Sequence, residues 1–502
     1  TCFYYQARRT AAAAHLIVAN HALLLSDLSL KNIPNAAGIL PAYDRVVLDE
    51  AHHLEAAATS VAEVRLSQRQ ISRGLSPLLN SRRRAGALEK LAQKWPHQVG
   101  PAAGEAGMAL TEVKDHAGIG FSLLKAEYTV PERVQGATPH QDFFAELAQK
   151  AEEAAGRLGA VQAKLEELEI KVEEAQPVLD LGRGRRKLED VAGAARSFLK
   201  EEENACRYFD PGAVGVGAVK APVDVGPSLQ KLLERLEGVV LTSATLTVHG
   251  KIDHYAGRLG FEDLDFSIFP SPFQYKEQAL LVLPKDIPPP DAPDYVEVAA
   301  NWMVQAIEAS GGGAFILCTS HAAVQDFARR LEGALGSRHA ILVQGRGSKG
   351  KILDHFRRDR AAVLLGTDSF WEGISVKGEG LRLVIIPRLP FRVPTEPVAQ
   401  TRYERIRDRG LDPFRAYALP EAVIKLRQGF GRLIRSRTDR GAVLILDRRI
   451  HEMWYGRIFL ASLPDARRLV GPGRAILPQL RAFYQEWLQD ELDTSRDEIP
   501  PE

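Results

Sequence analysis

Val46-Val47-Leu48-Asp49-Glu50-Ala51-His52 sets two acids at the end of a short apolar run. Carboxylates in such a place are costly unless a cation or hydrogen-bond donors receive them. Beside a bound nucleotide, Asp49 would hold Mg²⁺ through its water shell and Glu50 would orient the attacking water. The plainer alternative is a helix N-terminus where both acids only favour the dipole.

Gln428-Gly429-Phe430-Gly431-Arg432-Leu433-Ile434-Arg435 follows Pro420, a plausible helix start. At helical spacing Val423, Leu426, Phe430 and Leu433 form one face, and Gln428, Arg432 and Arg435 fall opposite, pointing away from the core. A planar guanidinium takes phosphate oxygens in a fork and neutralises charge on a transferring phosphoryl group, so Arg432 and Arg435 are candidates for that task. A solvated polar face is the bland alternative. Gly431 argues against it, because a helical glycine commonly marks close approach of another group.

Hydroxyls recur where other apolar runs end. Ser243-Ala244-Thr245, Thr319-Ser320 and Thr367 could all grip nucleic-acid phosphates, with turns or helix caps as the alternative use. Gly366-Thr367-Asp368-Ser369-Phe370-Trp371-Glu372-Gly373-Ile374 adds an acid and bare backbone, and its two aromatics read better as core plugs. Asn20 reads as the cap of the helix that follows it.

The elements that must position these groups are legible as short Val, Ile and Leu runs: Leu16 to Ala19, Val46 to Leu48, Val239 to Leu241, Phe315 to Leu317, Val363 to Leu365, Leu383 to Ile386 and Val443 to Leu446. They predict buried parallel strands, with ligands at their carboxyl ends. A stretch rich in Ala, Glu, Lys and Arg, about 65 to 235, predicts a helical insertion. Within it Phe144, Leu147, Ala151, Ala154, Leu158, Val161, Leu165, Leu168 and Val172 alternate by threes and fours, the seam of a helix about 45 Å long that needs an antiparallel partner. Pro177 is expected to stop it. Asp210 to Gly226 and Pro284 to Pro293 read as loops.

With 502 residues, 45% of them hydrophobic, the chain can bury several cores. Its formal charge is +1, so a nucleic-acid surface must come from local segregation of the 65 Lys and Arg. Three cysteines, Cys2, Cys206 and Cys318, make no disulfide framework and suit a reducing, cytoplasmic setting. No run approaches the roughly 18 apolar residues of a membrane span.

The order of these motifs, DEAH at Asp49 to His52, the insertion, Ser243-Ala244-Thr245-Leu246, Ser271-Pro272-Phe273, Cys318-Thr319-Ser320, the Ser369 to Gly373 loop, Leu389-Pro390-Phe391 and the Gln428 to Arg435 segment, resembles the DinG branch of the XPD-like iron-sulfur superfamily-two DNA helicases. The resemblance implies an α/β fold of two RecA-like parallel-sheet lobes with a helical arch. Residues 1–14 would end an iron-sulfur domain, 15–64 and 236–250 would form the first lobe, 65–235 the arch and 251–502 the second lobe. It implies ATP and Mg²⁺ held by Asp49, His52, Glu372, Gly373 and Gln428, with Asp49, Glu50, Gln428, Arg432 and Arg435 catalytic. It further implies Ser243, Thr245, Thr319, Ser320 and Thr367 on DNA, and Cys2 as the last of four thiolate ligands to a 4Fe-4S cluster. Activity would be 5′-to-3′ movement on single-stranded or forked DNA, close to the nucleoid, with closure of a cleft driving each step.

Two departures stand out. A phosphate-binding GxxxxGK[ST] loop is expected before DEAH and would precede residue 1. The one match to GxxxxGK, Gly345 to Lys351, is followed by Ile352 where a Mg²⁺-binding hydroxyl is needed, and is rejected. Second, Ser375 stands where the family often has Asp. The competing reading is a noncatalytic DNA-binding scaffold with a degenerate motor. A nuclease ranks last, for want of a metal-ligand cluster.

Overall fold

The computed structural model describes residues 2–33, 38–79, 86–168, 170, 175–212, 214–248, 250–261, 264–367, 370, 380–392 and 395–497. Its strands are β1 (Arg45–Leu48), β2 (Val64–Ser67), β3 (Glu132–Val134), β4 (Ala205–Gly212), β5 (Gly215–Pro222), β6 (Gly238–Leu241), β7 (Ala279–Pro284), β8 (Ala314–Leu317), β9 (Ile341–Val343), β10 (Val363–Gly366), β11 (Leu383–Ile386), β12 (Gly441–Ile445) and β13 (Arg467–Gly471). The chain divides into two compact units, one of residues 1–241, 258–261 and 394–408, the other of 242–257, 262–393 and 409–502.

In the second unit seven strands pair in the order β13-β7-β12-β11-β8-β10-β9, and every pairing is parallel. Strand alternation splits its apolar residues between two cores. Leu281, Phe315, Leu364, Val384 and Val443 face one core, with the helix Leu419–Phe430. Leu280, Ile316, Leu365, Ile385 and Leu444 face the other, with the helices Tyr295–Ser310 and His321–Leu335. Both faces are covered, which is why these strands read as uninterrupted apolar runs. β7 carries the same signal, all six residues buried, and was missed in the sequence.

The first unit holds two sheets. β1 and β6 pair in parallel, Leu48 opposite Leu241. They are less buried than predicted: Val47 is 69% and Val240 57% exposed. Leu16 to Ala19 forms no strand, since among the described residues β1 and β6 pair only with each other. Asn20 caps the helix His21–Lys31 as expected, accepting from the Leu23 N–H at 2.8 Å.

The insertion is largely helical. Gln141–Glu166 buries the predicted seam from Phe144 through Leu165, and at 26 residues is about 39 Å long. Ala175–Leu199 runs antiparallel to it, as the pairs Gln162 with Arg185 and Glu152 with Arg196 require. Pro177 lies in the first turn of this second helix and does not stop the first, which ends at Glu166; Val172 lies outside the described residues. Gly100–Glu127 also packs on Gln141–Glu166, where a Cβ on Gly120 would sit 1.9 Å from the Phe143 ring and displace it.

The sequence reading missed an antiparallel sheet, β2-β5-β4-β3, that packs against these helices. Most of the expected loop Asp210 to Gly226 is the β4–β5 hairpin. The helix Pro397–Asp408 also belongs to the first unit: Glu55 receives both Arg258 and, at 2.8 Å, Arg402, and Arg133 pairs with Glu404 at 2.6 Å.

Candidate functional site

Asp49 and Glu50 leave the carboxyl end of β1 at the level where β6 also ends. The segment before β1 is tied down by Asp27, whose buried carboxylate accepts from the N–H groups of Ile39 at 2.5 Å and Leu40 at 2.7 Å and from the Tyr43 hydroxyl at 2.7 Å, and pairs with Lys31 at 2.8 Å. Burial alone would raise the Asp27 pKa, but Lys31, the Leu40 N–H and Tyr43 outweigh it and hold the carboxyl below its ordinary range. Tyr43 is pushed upward in turn, by burial and by the Asp27 charge.

Asp49 Oδ1 accepts the Glu50 N–H at 2.9 Å. Glu50 adopts φ 49° and ψ 44°, the left-handed region, alone among the described non-glycine residues in having a positive φ. Backbone held there is strained and needs surroundings that enforce it. The turn swings Glu50 into solvent, 61% exposed, with Oε2 3.4 Å from His52 Nδ1. A short 3₁₀ turn, Ala51–His53, leads into the helix Leu54–Ala62, and the His52 and His53 rings meet tilted by 49° with centroids 3.9 Å apart. An open groove of about 900 Å³, with Leu16, Val18, Val46 and Val47 among its walls, reaches Asp49. Exposed carboxylate oxygens at a strand end match what Mg²⁺ takes, hard oxygens with retained water.

In the second unit the helix ends at Phe430, earlier than expected, so Arg432 and Arg435 stand on the turn that follows and do not continue a helical face. Gln428 is 9% exposed, buried like Val423, Leu426 and Phe430, and does not point away from the core. Gly431 marks no close approach: it is exposed just past the helix end, where a Cβ would meet only the carbonyls of Arg427 and Gln428. The turn is held from below. Asp439 Oδ2 accepts the N–H groups of Arg435 at 2.7 Å and Ser436 at 2.9 Å, and Gln278 donates to the Ser436 and Asp439 carbonyls at 2.9 and 2.8 Å.

The parallel sheet brings Thr319, Ser320 and Thr367 to one edge, with Leu317 opposite Gly366. Ser320 caps the helix His321–Leu335, its Oγ accepting from Ala323 N–H at 3.2 Å, and stays exposed. Thr367 is 8% exposed and gives its N–H and hydroxyl to Gln344 Oε1, at 2.6 and 3.1 Å. Ser243 Oγ lies 3.4 Å from Thr245 Oγ1 and accepts the Thr245 N–H at 3.2 Å, closing a turn in which Thr245 is buried. Phe370 is the expected core plug, whereas Trp371, Glu372, Gly373 and Ser375 lie outside the described residues.

The GxxxxGK decoy is no phosphate cradle: Ser348 caps the helix Lys349–Arg358 and Ile352 is buried. A 4Fe-4S cluster needs four thiolates. Cys2 is exposed, Cys206 and Cys318 are buried, and no group of three or more His, Cys, Asp or Glu among the described residues could hold a metal. The residues present do not make a cluster site, and no step is assigned to one. No helix among the described residues is long and apolar enough to cross a membrane.

Sequence reasoning missed Asp27, Gln278, Gln344, Asp439 and Arg427. The last donates from Nη1 to the Thr247 carbonyl at 2.7 Å and from Nη2 to that of Ala244 at 3.0 Å. Its position directly before Gln428 was the available signal.

A family model described as "Helicase C-terminal domain" matches residues 303–466, and one described as DEAD_2 matches residues 1–71. The ATP-dependent DNA helicase YoaA of Escherichia coli strain K12 is 33% identical over 478 residues, covering 95% of this chain and 71% of that protein. The protein named 3′-5′ exonuclease DinG of Bacillus subtilis strain 168 is 30% identical over 504 residues, 92% of this chain and 53% of that protein. Among solved structures, S. tokodaii Xpd4 superposes with a TM-score of 0.52 at 14% identity, over 90% of this chain and 81% of that one, a likeness of fold that accords with two RecA-like lobes. The chain belongs to the DinG/YoaA-like family of ATP-dependent DNA helicases.

Proposed function

We propose that this chain supplies the water-activating acids, the phosphate-sensing guanidiniums and the DNA-gripping hydroxyls of a motor that moves along single-stranded DNA, 5′ to 3′, and opens forks. The observation that carries the reading is Glu50, an exposed carboxylate held in strained left-handed backbone directly after Asp49. A solvated helix start has no need of that strain.

Asp49, with His52 nearby, would hold the nucleotide's Mg²⁺ through water. The ion, when bound, neutralises phosphate charge and orients the phosphates. Glu50 would accept a hydrogen bond from the attacking water, so that its oxygen is aligned for in-line attack on the terminal phosphorus as the bond to the leaving diphosphate breaks. Arg432 and Arg435, on the turn braced by Asp439, would stabilise the charge on the transferring group, with Gln428 ordering that turn from the helix end and Glu372 and Gly373 as further nucleotide contacts. Ser243, Thr245, Thr319, Ser320 and Thr367 would grip DNA phosphates through hydroxyl and backbone groups.

Glu50→Gln in the full-length protein tests this. ATP turnover is expected to fall at least 100-fold while nucleotide binding stays within threefold, and undiminished turnover would remove Glu50 from its role. Unwinding of duplexes with a 5′ overhang and not a 3′ overhang tests the direction.

A further inference from the structure

Arg427 sits in the last turn of the helix Leu419–Phe430, and its guanidinium is spent on two main-chain carbonyls, those of Ala244 and Thr247. No carboxylate among the described residues pairs with it. Burial depresses its pKa from the ordinary arginine value, so the charge is desolvated and balanced by carbonyl dipoles.

The choice of acceptors is informative. Carbonyls three residues apart point to opposite sides of an extended strand. One planar fork takes both only where the chain turns, which is how Ala244 to Thr247 is folded, with the Ser243 and Thr245 side chains closing the same turn. Arg427's own carbonyl meanwhile accepts the Gly431 N–H at 2.9 Å, the bond that ends the helix and starts the turn bearing Arg432 and Arg435. The Arg427 side chain therefore ties the hydroxyl-bearing turn to the end of the helix from which the guanidinium-bearing segment leaves.

We propose that Arg427 is the positioning residue that couples DNA contact to hydrolysis: it makes the Ser243–Thr247 turn and the Gln428–Arg435 segment move as one piece. The inference rests on the proposed function and goes beyond it by naming the link. A lysine keeps the charge and can reach either carbonyl, but has no rigid fork to hold both.

The test is steady-state ATPase of full-length wild type, Arg427→Lys and Arg427→Gln, with and without single-stranded DNA, alongside DNA affinity by fluorescence anisotropy and thermal unfolding. Arg427→Gln is expected to lose at least tenfold of the DNA stimulation ratio, with basal turnover, the ATP KM and DNA affinity each within threefold of wild type, and Arg427→Lys to lie between. An unchanged stimulation ratio in Arg427→Gln overturns the proposal. So does a parallel loss of basal turnover and DNA affinity in both variants, which would mark a merely structural arginine. A wild type without DNA-stimulated turnover, or a Glu50→Gln variant that still turns over, would instead sink the underlying reading.

Discussion

Replacing Glu50 by glycine should make the protein more stable and inactive. At φ 49° and ψ 44° the Glu50 Cβ crowds its own backbone, a penalty of about 1–2 kcal/mol for a non-glycine residue. Glycine relieves it but brings a more flexible unfolded chain, costing about 0.5–1 kcal/mol. The contact of Glu50 with His52 is long, 3.4 Å, and solvent-exposed on the acid side, so its loss changes stability little. The difference is a gain of about 0–1.5 kcal/mol, each kcal/mol raising Tm by roughly 2–4 °C for a unit of this size. Glu50→Ala provides the contrast because it loses the same carboxylate and keeps the Cβ. In a helix interior glycine is worse than alanine by about 1 kcal/mol; here the order should reverse by a similar amount. Urea unfolding of the 502-residue chain, followed by circular dichroism, reads the difference directly. Both variants should lack ATP turnover in the full-length protein. If Glu50→Gly is no more stable than Glu50→Ala, the backbone is not held left-handed and the argument that function imposes strain here fails.

Two further outcomes follow from the geometry. Arg432→Ala and Arg435→Ala should each lower DNA-stimulated hydrolysis about 100-fold or more, as loss of a preorganised cation does; near-normal rates in both would return these side chains to a solvated turn. Asp27 governs an acid limb of stability. Its folded pKa lies below the unfolded one, so its contribution is fully present above about pH 4 and is lost as pH falls through the depressed folded value. Asp27→Asn should therefore lower stability at pH 7 and flatten its dependence on pH below 4; an unaltered acid limb in urea titrations would show that Lys31 and the loop donors do not hold the charge.

What the sequence disclosed and what it hid divide along a physical line. β8, β10, β11 and β12 were legible because strands buried on both faces are apolar throughout, and the seam of Gln141–Glu166 because a long helix in an antiparallel bundle repeats its burial. Leu16 to Ala19 has the same apolar signature as β8, yet a strand exists only where another offers hydrogen bonds, and none does among the described residues. The β4–β5 hairpin was hidden by its own composition: Pro211 and Gly212 at the end of β4 and Gly215, at φ 139°, at the start of β5 are read locally as loop, although Phe209, Val216 and Ala218 are buried on one face and Cys206 and Val219 on the other.

The site shows the same asymmetry. Asp49, Glu50, Arg432 and Arg435 announce themselves because their chemistry resides in side chains at recognisable spacings. Arg427, Asp27 and Asp439 do not, because each spends its charge on backbone groups, and a carbonyl acceptor or an N–H donor leaves no mark in the sequence. The helix expected to run through Arg435 stops at Phe430, where the Arg432 and Leu433 N–H groups tighten onto the Gly429 and Phe430 carbonyls, and Asp439 then takes the Arg435 and Ser436 N–H groups that a continuing helix would have bonded to its own carbonyls. Charged residues that hold the main chain decide where the charged residues that act on phosphate can stand.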